Sequence, residues 1–220
     1  MMADRFSDRA EAGRLLGAAV RERLGVDAPE PVVLGLPRGG VTVAAEVARA
    51  LSAPLDVLVV RKIGVPGQPE LAMGALAAGT VVRNHDVVHA LGIDDATFAA
   101  AADAERSAAQ AREQLYRGVV DPEPLDGRTV VVVDDGLATG ATARAAVQAL
   151  RHREDNRPAR VVLALPVAPR DSLTDLARLV DDVVCLRTPH PFYAVGEWYR
   201  DFGQVSDDEV AALLRGREVV

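Results

Sequence analysis

Residues 129–135, TVVVVDD, set four consecutive valines in front of two adjacent acids. Successive side chains of a strand point to opposite faces, so a run this apolar is a strand only where both faces are covered. The same signature recurs in PVVLGL (31–36), LDVLVV (55–60), ARVVLALPV (159–167) and DVVCLR (182–187). Segments of helical spacing separate these runs, at 10–24, 41–51, about 139–152 and 171–180. Covered strands alternating with helices predict an α/β chain built on a doubly wound, mostly parallel sheet.

Three stretches depart from that rhythm. RKIGVPGQPE (61–70) is crowded with glycine and proline and predicts a mobile loop. Residues 71–84 predict a hairpin turning near Ala78-Gly79. From Asp94 to Arg117 the chain is rich in Ala, Glu, Gln and Arg behind an Asp-Asp start, which predicts one long helix. The tail then gathers Phe192, Tyr193, Trp198, Tyr199 and Phe202, more than half of the aromatic residues in the sequence. Such a cluster serves either as a satellite core or as a cover for a ligand.

The bulk properties narrow the function. With 220 residues and 49% hydrophobic composition, one domain with a substantial core is expected. A net charge of -7 argues against a nucleic-acid or membrane-surface partner, so an anionic ligand must be held by local features. One cysteine, Cys185, leaves no intrachain disulfide or thiolate cluster. The N-terminus lacks a leader pattern and no apolar run reaches the roughly 18 residues of a membrane span, so a cytoplasmic protein is expected.

In an open parallel sheet, ligands collect at the carboxyl ends of the strands, where a helix N-terminus offers unpaired N–H groups to a phosphate. The loop after Asp135 lies at such an end. Gly136 and Gly140 allow close backbone approach, and Thr139 and Thr142 add hydroxyl donors. It contains no lysine and matches neither G-x-x-x-x-G-K-[ST] nor G-x-G-x-x-G, which points to a ligand smaller than a nucleotide triphosphate or dinucleotide. Asp134 and Asp135 would repel one another unless a diol or a metal ion compensates; the plainer alternative is one helix cap and one solvated acid.

The whole run VVVVDDGLATGAT (130–142) resembles the 5-phosphoribosyl 1-pyrophosphate (PRPP) signature of the type I phosphoribosyltransferases. The resemblance implies that Ala138, Thr139, Gly140, Ala141 and Thr142 cradle the 5′-phosphate and that Asp134 and Asp135 lie beside the ribose 2′ and 3′ hydroxyls. Leu36-Pro37-Arg38-Gly39-Gly40 looks like the family's pyrophosphate loop, which implies a cis peptide at Pro37-Arg38 and places Arg38, Gly39 and Gly40 against the leaving group. Arg61 and Lys62 match the family's cations near pyrophosphate, and residues 63–71 its flexible flap, in which Glu70 is a candidate proton acceptor. PFYAVGEWYRDF (191–202) is similar to the hood of the hypoxanthine-guanine enzymes. On that mapping Phe192 or Tyr193 stacks on the acceptor, Arg200 lies near pyrophosphate and Asp201 near Mg2+. The implied unit is a single domain over 1–220 with a helical insertion at about 93–118 and a hood at about 187–205.

The purine-salvage enzymes carry an acid and a lysine where this chain has Ala138 and Ala141, so the resemblance does not extend to a 6-oxopurine acceptor. It implies a Mg2+-dependent transferase that moves the phosphoribosyl group of PRPP to a nucleophile such as a nitrogenous base, with Arg38, Lys62, Asp134 and Asp135 as the catalytic group. Small molecules are the expected partners, and a homo-oligomer is compatible with the sequence. Two rivals remain: a PRPP-binding regulator without turnover, and a sugar-phosphate hydrolase on a similar sheet.

Overall fold

A computed structural model of the chain describes residues 5–25, 30–77, 79–119, 121–153 and 155–216, without the side chains of 69 and 70. Five parallel strands form the central sheet: β1 (Pro31–Gly35), β2 (Leu55–Val57), β6 (Thr129–Val133), β7 (Arg160–Val167) and β8 (Asp182–Arg187), in the order β2-β1-β6-β7-β8. Val131 and Val133 face one side, against α1 (Arg9–Leu24), α2 (Gly39–Leu51), α4 (Asp95–Arg117) and α7 (Asp207–Arg215). Val130 and Val132 face the other, against α5 (Ala141–Arg151) and α6 (Arg170–Leu176). All four valines are fully buried, as a doubly wound sheet requires of its middle strand.

The strand order fixes where a ligand can sit. From β1 the chain moves outward through α2 to β2, then returns to the other side of β1 and continues through β6, β7 and β8. The connections reverse direction between β1 and β6, and a crevice opens outside the carboxyl ends of strands at such a switch point. The loops that follow β1 and β6 are the PRGG and DDG segments.

Two sequence-based expectations are corrected. LDVLVV is not one strand: its first half is β2, a three-residue edge, and the chain then leaves the sheet. Residues 61–70 are not an open loop but the start of a second, antiparallel sheet, β3 (Val60–Val65), β4 (Gln68–Ala77) and β5 (Thr80–Arg83), in which Gly67 (φ 79°) supplies the left-handed turn conformation. Glycine and proline here mark a tight turn and bulges between paired strands rather than a loop. The hairpin over 71–84 is present as β4 and β5, with Gly79 at φ 77°; Ala78 lies outside the described residues. One face of this ribbon, with Ile63, Val65 and Met73, packs on Phe98 and Ala102 of α4 and on Val88 of α3 (His85–Ala90), a short helix not anticipated from the sequence.

The long helix runs from Asp95, with the Asp94 side chain accepting from the Thr97 N–H at 2.7 Å as its N-cap. At its other end Arg117 reaches Asp56, and the fully buried Tyr116 donates its hydroxyl to Asp207 at 2.6 Å, so α4 joins the edge of the sheet to α7. The tail forms a small separate core with the N-terminus. Phe6 pairs with Tyr199 as a parallel bridge, and Phe192, Val195 and Trp198 pack beside Val167 and Ala12.

Candidate active site at the switch point

β1 and β6 pair in register, with Gly35 opposite Val133, so their loops leave the sheet side by side. They are pressed together there. A Cβ added to Gly39 would lie 2.0 Å from Asp135 Oδ2, and one added to Gly40 would lie 2.8 Å from the Val133 carbonyl and 2.9 Å from Asp134 Oδ1. Glycine at both positions is therefore a packing requirement of the acid pair. The Pro37–Arg38 peptide is cis, and Arg38 is half-buried at the start of α2.

Each acid has one oxygen occupied. Asp134 Oδ1 accepts from the Asp135 N–H at 2.9 Å, and Asp135 Oδ2 accepts from Arg9 Nε at 2.7 Å. Burial and the facing Asp135 carboxylate push the Asp134 carboxyl well above the ordinary range, and burial pushes Asp135 up despite Arg9. Burial thus disfavours the charged form of both acids in the folded chain. A raised carboxyl pKa means that the native state binds more protons than the unfolded chain between the ordinary and the raised values, so stability declines as pH rises through that window. Asp134→Asn should flatten this decline and stabilise the ligand-free protein by about 1 kcal/mol at neutral pH. Urea midpoints from pH 4 to 8 check this; a midpoint at pH 7 equal to that of the wild type would refute it.

Beyond the acids the chain turns through Gly136 (φ 156°), where a Cβ would lie 2.4 Å from Val195 Cγ1 of the tail. Gly140 (φ 76°) caps α5 in the left-handed region without a side-chain hydrogen bond, leaving the first turn of that helix open. Ala138, Thr139, Ala141 and Thr142 are all exposed around it. Unpaired N–H groups, two hydroxyls and two small side chains make a surface suited to a phosphate.

The remaining predicted residues lie in several settings. Arg61 donates Nε to Glu105 of α4 at 2.8 Å, and Lys62 is solvent-exposed beside it on β3. Arg200 is exposed, its N–H bonded to the Phe6 carbonyl, and Asp201 Oδ1 accepts from the Gly203 N–H at 3.1 Å. Phe192 is half-buried against the small tail core, whereas Tyr193 is 76% exposed. The side chain of Glu70 lies outside the described residues. Cys185 is raised to about 11 by burial, which suits a packed strand residue rather than a nucleophile.

Sequence reasoning missed Arg9 and Tyr199 as neighbours of the acids, and Phe202 as the ring behind Arg9. Arg9 sits 126 positions from Asp135 in an otherwise ordinary amphipathic helix, with no local motif to mark it. Its Nη1 donates to the Gly203 carbonyl at 2.8 Å, and its guanidinium lies 3.8 Å from the Phe202 ring centroid. Tyr199 donates its hydroxyl to the Asp135 carbonyl at 2.5 Å. The aromatic clustering of the tail was the available signal for the latter two.

A doubly wound sheet with an acid pair, a glycine loop and an open helix N-terminus at its switch point places the chain in the class of α/β proteins with a crevice at the sheet's carboxyl edge. Within that class the chain belongs to the phosphoribosyl transferase domain family, whose model matches residues 8–195. Two Mycobacterium tuberculosis proteins, provisionally named phosphoribosyl transferases, are 51% identical to it over 211 residues. That alignment covers 95% of this chain and 46% of each relative, so the chain spans about half the length of the curated relatives it matches. A Thermus thermophilus protein of known crystal structure is 43% identical, with TM-score 0.85 over 96% of this chain and 98% of that one. A Neisseria gonorrhoeae protein crystallised with ppGpp shares the fold, at TM-score 0.50 and 12% identity over 98% of both chains. No helix among the described residues is long and apolar enough to cross a membrane.

Proposed function

We propose that this chain binds PRPP across the switch point and transfers its phosphoribosyl group to a nitrogenous acceptor, releasing pyrophosphate. One observation carries the reading. Asp134 and Asp135 stand side by side at the switch point, and the chain engages Oδ1 of the first and Oδ2 of the second. Two carboxylates on adjacent residues suit a vicinal diol, and the open turn at Thr139–Thr142 beside them suits the 5′-phosphate of the same sugar.

Arg38, Gly39 and Gly40 then face the pyrophosphate, with Lys62, Arg61 and Arg200 as further cations; binding there requires Arg61 to exchange Glu105 for phosphate. The reaction needs no side-chain nucleophile, because the acceptor displaces pyrophosphate at C1′ while positive charge grows on the ribose. The chain's contribution is to orient the two reactants and offset charge on the departing group. Among the described residues no cluster of three or more ligating side chains forms a metal site. Mg2+ would ride on phosphate oxygens and water, with Asp201 as a candidate protein ligand, and would neutralise the pyrophosphate. Phe192 and Tyr193 border the acceptor side. Residues 1–220 are read as one unit with α4 as its insertion and 187–205 as its hood, acting in the cytoplasm.

Calorimetry with PRPP and Mg2+, followed by pyrophosphate release over a panel of bases, tests the proposal. Asp135→Asn and Thr139→Ala are each expected to weaken PRPP binding about tenfold or more with the melting temperature held within a few degrees. Unchanged affinity in both removes the site. PRPP binding without turnover on any base turns the reading to a sensor, and phosphate release without an acceptor turns it to a hydrolase.

A further inference from the structure

Five side chains form one continuous stack behind the acid pair. Arg187 lies 3.7 Å from the Phe6 ring centroid, and Phe6 and Tyr199 are 5.4 Å apart between centroids. Tyr199 and Phe202 stack at 4.9 Å and 29°, and Arg9 closes the series 3.8 Å from Phe202. Arg9 delivers the end of this stack to Asp135. Its guanidinium has one N–H on the Asp135 carboxylate, another on the Gly203 carbonyl, and a ring against its face, so its side chain is only 11% exposed. A guanidinium held by a carboxylate, a carbonyl and an aromatic face has little rotational freedom, and an acid bonded to it inherits that restriction.

We propose that Arg9 is the positioning residue of the acid pair: it fixes the Asp135 carboxylate so that Oδ1 faces the ribose diol, and it ties that orientation to the packing of the tail. The inference rests on the PRPP reading above. Arg9 opposes the rise that burial imposes on Asp135, so the same contact that orients the carboxylate also favours its charged form. Tyr199 adds a second tie, through the main-chain oxygen of the same residue.

The test is a double-mutant cycle on PRPP affinity, read by calorimetry in the full chain at pH 7.5 with Mg2+. Arg9→Met is expected to weaken binding about tenfold. Arg9→Lys, which keeps a donor and a charge, is expected to recover part of that loss. In an Asp135→Ala background, which removes the acceptor of the Arg9 hydrogen bond, Arg9→Met should cause no further loss, because its effect passes through the Asp135 carboxylate. Two results overturn the inference: wild-type affinity in Arg9→Met, or losses that add fully in the double variant, which would mean that Arg9 meets the ligand directly. Should Arg9→Met fold poorly, Arg9→Lys alone and in the Asp135→Ala background completes the cycle. Absence of PRPP binding in the wild-type chain refutes the underlying reading instead, and is distinguishable from both.

Discussion

Gly39→Ala is expected to cut PRPP affinity by about a hundredfold. The new Cβ would stand 2.0 Å from Asp135 Oδ2, 2.8 Å from its Cγ and 2.9 Å from Arg9 Nε. A free carboxylate would swing aside at small cost, but this one is held by Arg9 and cannot move without breaking that bond. The alternative is for the PRGG loop to withdraw, which separates it from the acids. Either way the two halves of the site come apart, while the sheet beneath is untouched and stability falls by only about 1 kcal/mol. Gly118→Ala is the control, since the Cβ added there meets nothing nearer than 3.6 Å and φ is -69°. Calorimetric titration of both variants with PRPP decides the matter: equal affinities in Gly39→Ala and wild type would show that the two loops do not act as one surface.

Asp56→Ala is expected to lower stability by about 2–3 kcal/mol without changing the affinity of the folded protein for PRPP. Asp56 is 3% exposed on the three-residue edge strand β2. Its carboxylate accepts from the Val57 N–H at 2.7 Å, Arg117 Nη1 at 2.6 Å and the Glu123 N–H at 3.0 Å. These contacts seal the sheet edge with the end of α4 and the segment after it. Removing the acid leaves a partly buried guanidinium, a buried N–H at Val57 and a half-buried N–H at Glu123 without this acceptor. Urea unfolding gives the first quantity and PRPP titration under native conditions the second; a loss below 0.5 kcal/mol would mean that water replaces the carboxylate freely.

The central sheet was legible because its information is local. Val130–Val133 and Val161–Leu165 announce strands covered on both faces, and the intervening helices carry their own periodicity. The DDG and PRGG loops were legible for the same reason, each being a short motif at the end of a strand. What the sequence obscured was pairing at a distance. Nothing in RKIGVPGQPE distinguishes a loop from a ribbon, because the partner strand and α4 supply the apolar cover for Ile63 and Val65. Arg9 carries no mark of its role, since its significance comes from a hydrogen bond across 126 positions. Arg61 likewise looks like any basic residue after a strand until Glu105 is found beside it.

The in-register pairing of Gly35 with Val133 has a kinetic consequence. These residues are nearly a hundred positions apart, so the crevice between their loops can exist only after the chain has closed a long segment containing the whole ribbon and α4. Parallel pairings of such separation form slowly, because their loop-closure entropy precedes their reward. The PRGG loop therefore meets the acid pair late, after the surrounding apolar surfaces have collapsed, and the burial of two adjacent carboxylates is deferred until the sheet is able to hold them. In refolding experiments the binding of PRPP would recover later than the helical signal, and the lag would report the moment at which β1 finds β6.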